Sequence, residues 1–74
     1  MRRYQIVYYD RRNVLVYRGR VFTGPENMSD NLSKNGPWNR IYATYGKNPF
    51  ELLRQDGFTG EVHHWGFISA RHRP

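Results

Sequence analysis

The stretch MRRYQIVYYDRRNVLVYRGR, residues 1–20, decides the fold. Tyr4 to Tyr9 and Val14 to Val21 are both rich in aromatic and β-branched residues, and the turn-forming Asp10 to Asn13 lies between them, which predicts a β-hairpin. With Arg11 and Arg12 at the tip, Tyr9 would oppose Val14, Tyr8 Leu15, Val7 Val16, Ile6 Tyr17, Gln5 Arg18, Tyr4 Gly19 and Arg3 Arg20. Side chains alternate between the faces of a strand. Tyr4, Ile6, Tyr8, Leu15, Tyr17 and Val21 are therefore expected on the core side. Val7, Val16, Tyr9 and Val14 near the turn, and Arg3, Gln5, Arg18 and Arg20 at the open end, are expected on the other.

The same stretch concentrates the charge. It holds Arg2, Arg3, Arg11, Arg12, Arg18 and Arg20 against one acid, Asp10, a local net of +5 in a chain whose total is +6. Like charges directly opposed in an antiparallel pair cost up to about 1 kcal/mol. Arg3 facing Arg20 would therefore call for an anion, either a phosphate or a carboxylate.

Working outward, Thr23 and Glu26 have the spacing of a capping box, but Asn27 to Asn35 is polar, with Met28 and Leu32 its only apolar pair at helical spacing. Pro25 to Asn35 reads as a weak surface helix or a loop, ended by Gly36-Pro37. WNRIYATY, Trp38 to Tyr45, reads as a third strand with aromatics on both faces. Asn48-Pro49-Phe50-Glu51 is a strong helix start: Asn48 caps, Pro49 suits the first helical position, and Glu51 can close a capping box. Leu52 and Leu53 supply apolar residues and Gly57 a left-handed end, giving a helix from Pro49 to Asp56. The last strand runs from Glu61 to about Arg71, with Val62, His64, Gly66, Ile68 and Ala70 on one face and Glu61, His63, Trp65, Phe67, Ser69 and Arg71 on the other. Arg71 to Pro74 forms a basic tail expected to fray.

The expected architecture is a single α+β domain over residues 1–74: a mainly antiparallel sheet of about four strands, one short helix packed on it, and a second weak helix or loop. A chain of 74 residues with 16% aromatics can bury a small core without metal or disulfide. The absence of cysteine removes disulfides and thiolate metal sites. Adjacent His63 and His64 point to opposite faces of a strand and cannot close on one ion. No metal or cofactor is expected. No apolar run approaches a membrane span and no signal-peptide pattern follows Met1, so the expectation is a soluble, cytoplasmic protein.

A pI near 10.2 points to an anionic partner. Ten arginines against two lysines favour bidentate phosphate or carboxylate contact, and arginines interleaved with tyrosines suit phosphate contact with base stacking. The candidate contact set is Arg3, Arg11, Arg12, Arg18, Arg20 and Tyr9, with Arg71 and Arg73 from the tail. No RRM, KH, helix-turn-helix or zinc-finger signature is present, so the partner is nucleic acid or the acidic surface of a nucleic-acid-processing complex such as RNA polymerase. In size and charge the chain is similar to the small regulators that phages direct at host transcription, without a shared motif.

The enzymatic alternative is a small ribonuclease, with His63, His64 or His72 moving protons and Arg71, Arg73 or a tyrosine near the phosphate. The succession Leu52-Leu53, Gly57-Phe58, His63-His64 and His72-Arg73-Pro74 resembles the helix, Gly-aromatic and histidine-strand order of HicA-type toxin ribonucleases over about a third of the chain. It departs from that family in having Val62, rather than a small hydroxyl residue, before His63, and it lacks the family's later strands and helix. The first reading remains a non-catalytic binding module that regulates a nucleic-acid machine.

Overall fold

In the computed structural model, which describes residues 1–28 and 36–70, the chain is α+β, with a three-stranded antiparallel sheet and two short helices. Strand β1, Arg2–Tyr9, lies between β2, Leu15–Gly24, and β3, His64–Ser69. Helices α1, Pro37–Tyr45, and α2, Pro49–Gln55, cover one face. No helix among the described residues is long and apolar enough to cross a membrane. Most of the weak segment expected at Pro25 to Asn35, and all of the tail from Arg71, lie outside the described residues.

The hairpin forms, but its register is not the regular one. Tyr9 pairs with Leu15, Tyr8 with Tyr17, Val7 with Arg18, Gln5 with Val21, Tyr4 with Phe22 and Arg3 with Thr23. Two irregularities, between Tyr8 and Tyr9 and between Gln5 and Val7, each shift the pairing by an extra residue of β2. Such bulges leave the local alternation of residue types intact while changing which residues face each other. The expected opposition of Arg3 to Arg20 is therefore absent, and Thr23 faces Arg3 instead. At the tip, the Asp10 carboxylate accepts from the backbone N–H groups of Arg12 at 2.8 Å and Val14 at 3.0 Å. Asn13 takes a left-handed φ of 63°, a conformation Asn tolerates better than most residues.

The core is aromatic. Tyr4, Ile6 and Tyr8 from β1, Phe22 from β2, Ile41 from α1 and Leu52 and Leu53 from α2 are all buried. Phe67 of β3 meets Tyr4 edge-on at 5.5 Å, and Trp65 packs on Trp38 of α1 at 6.0 Å. Such aromatic pairs contribute beyond their area burial. Two tyrosine hydroxyls tie the helices to the strands: Tyr8 donates to the Pro49 carbonyl at 2.6 Å, and Tyr45 to the Val21 carbonyl at 2.6 Å. Burial, with the Asp56 carboxylate nearby, pushes the Tyr8 phenol well above its ordinary range. Leu15, expected in the core, is exposed, because the first bulge sends Val16 inward in its place.

Trp38 to Tyr45 is a helix, not a strand, which reduces the expected sheet from four strands to three. Pro37 occupies the start of α1, where its missing N–H costs nothing. Trp38, Ile41 and Tyr45 then fall at helical spacing toward the sheet. Gly46, at φ 71°, closes the helix by donating its N–H to the Tyr42 carbonyl. Helix α2 matches its sequence signals closely: the Asn48 side chain accepts from the Glu51 N–H at 2.9 Å, and Gly57 takes φ 89° just beyond the C-terminus.

Candidate functional site

The sheet face turned away from the helices carries Arg3, Gln5, Val7 and Tyr9 from β1, Leu15, Arg18, Val21 and Thr23 from β2, and His64, Gly66 and Ile68 from β3, as the pairing dictates. Val7 is fully buried on this face. At the hairpin end, the Tyr9 and His64 rings stack with centroids 5.0 Å apart and planes 18° from parallel. Gln5 donates from its amide to the Gly19 carbonyl at 3.1 Å and bridges to β2 at the bulge.

The structure separates the sequence-nominated arginines into two groups. Arg3 and Arg18 are exposed on this outer face, and Arg12 is exposed at the tip. Arg11 at the tip is 3.4 Å from the Glu61 carboxylate, an exposed pair of modest worth. Arg20 does not belong with them, because the bulge opposite Ile6 turns it toward the helices. There its Nε and Nη2 both donate to the Asp56 carboxylate, its guanidinium lies 5.4 Å from the Tyr45 ring centre, and the hydrogen bond to Asp56 holds it protonated above its ordinary value. Arg20 is a structural cation rather than an anion contact. Arg71 and Arg73 lie outside the described residues.

Acidic side chains elsewhere are already engaged. Glu26 pairs with Arg2 at 3.6 Å, Glu61 with Arg11, Asp56 with Arg20, and Glu51 accepts from the Asn48 amide at 3.4 Å. Asp10 caps the hairpin turn, and the Val14 and Arg12 N–H groups together with the Arg12 charge hold its carboxyl below the usual range. Of the hairpin arginines, Arg3, Arg12 and Arg18 therefore stand without a carboxylate among the described residues, as do Arg40, Lys47 and Arg54 on the helical side; Arg18 and Arg3 lie on the face that bears the Tyr9 and His64 stack, Arg3 at its far end.

His63 and His64 have ring centroids 6.0 Å apart and planes nearly perpendicular, and among the described residues neither has a carboxylate partner. No group of three or more potential metal ligands occurs among the described residues. Sequence reading placed Arg3, Arg18 and Tyr9 on one face, as observed, but gave His64 no part in it. The signal was present, since Val62, His64 and Gly66 alternate in phase, but only the pairing of β3 with β1 puts His64 beside Tyr9. No protein-family model matches this chain, and no curated protein or solved structure is significantly similar to it.

Proposed function

We propose that this protein is a non-catalytic binding module that engages nucleic acid through the outer face of its sheet. The supporting observation is the set of Arg3, Arg12 and Arg18, without carboxylate partners among the described residues and spread along the outer face and tip from the Tyr9 and His64 stack to the far end of β1. Guanidinium groups in that position supply phosphate contacts and counterion release, and the rings supply surface for bases. The regulatory role follows as part of the proposal: a small basic module acts by occupying its partner.

A second reading has its own observation. Val14 and Leu15 at the tip are 52% and 36% exposed, apolar surface beside Arg11 and Arg12 that phosphate binding does not use. An acidic surface of a transcription complex such as RNA polymerase, with an apolar centre, would use both. The ribonuclease reading requires His63 or His64 as proton carrier, and loss of RNA cleavage on His63→Ala or His64→Ala is its necessary result.

The direct test is affinity for single-stranded DNA and RNA measured across a salt series. Binding that weakens steadily as salt rises supports the proposal; absent or salt-independent binding overturns it. Capture of an acidic protein complex by wild type, and not by Arg12→Ala with Leu15→Ser, would favour the second reading.

A further inference from the structure

Gly66 sits mid-strand in β3, where glycine weakens a sheet and commonly marks a bulge or a close approach. The register around it is unbroken, and its φ is not left-handed. A Cβ built there would lie 3.4 Å from Tyr9 Cε2 and 3.9 Å from Val7 Cγ2, ordinary contact distances. Gly19 is a useful contrast, since a Cβ there would come within 2.9 Å of Tyr8 Cε1, so packing alone explains that glycine. Neither backbone conformation nor packing accounts for Gly66. The Tyr9 ring reaches across the bare backbone at Gly66, and both border an open space.

That space belongs to an open cleft of about 400 Å³ lined by Tyr9, Gly66, Trp65, Phe67 and Pro37. The volume lies at the lower end of the range for small-ligand sites. The Ala70 N–H donates to the Arg3 carbonyl at 2.9 Å, which fixes the hydrogen-bonding phase of β3. Trp65 and Phe67 therefore turn their backbone N–H and C=O groups away from β1, toward the cleft side, where no strand pairs with β3 among the described residues. The cleft thus joins an aromatic wall to backbone donors and acceptors. Arg18 is paired with Val7, one step along from Tyr9, which places a cation about 8 Å from Tyr9 in backbone terms. The larger hollow, about 520 Å³ between Phe50, Leu53, Arg54, Phe58 and Val62, has neither a stacked ring pair nor the hairpin arginines.

We infer that the cleft receives a base of a single-stranded nucleic acid, packed against Tyr9 and Trp65 beside Gly66, while Arg18 holds a nearby phosphate and Arg3, about 20 Å from Tyr9 along β1, holds one several nucleotides away. This rests on the nucleic-acid reading above and narrows it: a duplex, whose bases are already stacked and paired, has no base to offer. Stacking is sequence-tolerant because every base has a π-face, so the site selects strandedness before sequence.

The test compares wild type, Gly66→Ala and Tyr9→Leu for binding to octathymidylate, octauridylate, an abasic octamer of equal charge, an eight-base-pair duplex and poly-glutamate at one salt concentration. Tryptophan fluorescence is recorded alongside, because Trp65 lines the cleft. Wild type is expected to prefer base-bearing single strands to the abasic octamer by roughly tenfold, with a change in tryptophan emission, and both variants to bring that ratio near one. Equal wild-type affinity for base-bearing and abasic strands, or an unchanged ratio in the variants, overturns the cleft assignment and leaves the phosphate-binding reading standing. Binding to poly-glutamate alone overturns both. Should circular dichroism show Gly66→Ala unfolded, Tyr9→Leu decides the matter.

Discussion

Arg20 directs two donors at a single Asp56 oxygen, at 3.0 Å from Nε and 2.7 Å from Nη2, and so joins the middle of β2 to the end of α2. The link places one of the hairpin's arginines in the scaffold and leaves Arg3 and Arg18 for a partner. Mutating the two groups should have opposite signatures. Arg3→Ala with Arg18→Ala should leave the thermal midpoint near that of wild type and lower the salt dependence of single-strand binding, by about 0.7 in slope per arginine. Arg20→Ala should lower the midpoint and leave the slope as it was. Melting curves and salt titrations on the same preparations check both, and a slope change in Arg20→Ala would contradict the division.

Tyr8 makes the protein sensitive to alkali. Its phenol is buried and its folded pKa is raised, so between about pH 10, where an unfolded tyrosine titrates, and the higher folded value, the unfolded chain binds fewer protons than the folded one. Stability contributed by this group is complete below pH 10 and falls by about 1.4 kcal/mol per pH unit above it. Urea midpoints from pH 8 to 11.5 should decline more steeply in wild type than in Tyr8→Phe. At neutral pH, Tyr8→Phe should itself cost about 1 kcal/mol, since it removes the phenol's hydrogen bond to the Pro49 carbonyl.

Gly19 should resist the smallest enlargement. Its added Cβ would lie 2.9 Å from Tyr8 Cε1, and Tyr8 cannot retreat while its hydroxyl is anchored to Pro49. Gly19→Ala should destabilise by about 1–3 kcal/mol. Gly66→Ala, with its nearest contact at 3.4 Å, should cost much less. Chemical denaturation of the pair tests the contrast.

Asn48→Ala removes the side-chain acceptor of the Glu51 N–H at the start of α2. The expected loss is about 1 kcal/mol, read as a lower urea midpoint with an unchanged slope.

Sequence pattern was most reliable where a local rule had a single reading. Asn48-Pro49 with Glu51 and Gly57 specifies α2 almost to the residue, because caps act within one turn and need no tertiary partner. Trp38 to Tyr45 had two readings: Trp38, Arg40 and Tyr42 alternate as in a strand, while Trp38, Ile41 and Tyr45 repeat as in a helix. The decision lay in Pro37 and Gly46, which read as a stop and a turn when they are in fact the start and end of α1. Tyr9 and Arg3 share a face because β1 alternates without interruption, and Arg18 joins them because β2 is regular between Tyr17 and Arg18. Arg20 was misplaced because a bulge adds a residue to one strand without altering the composition of either. The Tyr9 and His64 stack and the Gly66 cleft depend on two strands more than fifty residues apart, and no local pattern specifies their register.

The bulge opposite Ile6 also governs the parity of β2. Arg18 and Arg20 are two apart, and in an uninterrupted strand they would point the same way, doubling the positive charge on one surface and leaving Asp56 without a counter-ion. With one residue added between the pairs Val7–Arg18 and Gln5–Val21, the same Arg-Gly-Arg triplet delivers one guanidinium to each side of the sheet. Deleting Gly19 would remove the bulge but leave Arg18 and Arg20 consecutive, still one to each side of the sheet, with Arg20 opposite Ile6 and within reach of Asp56.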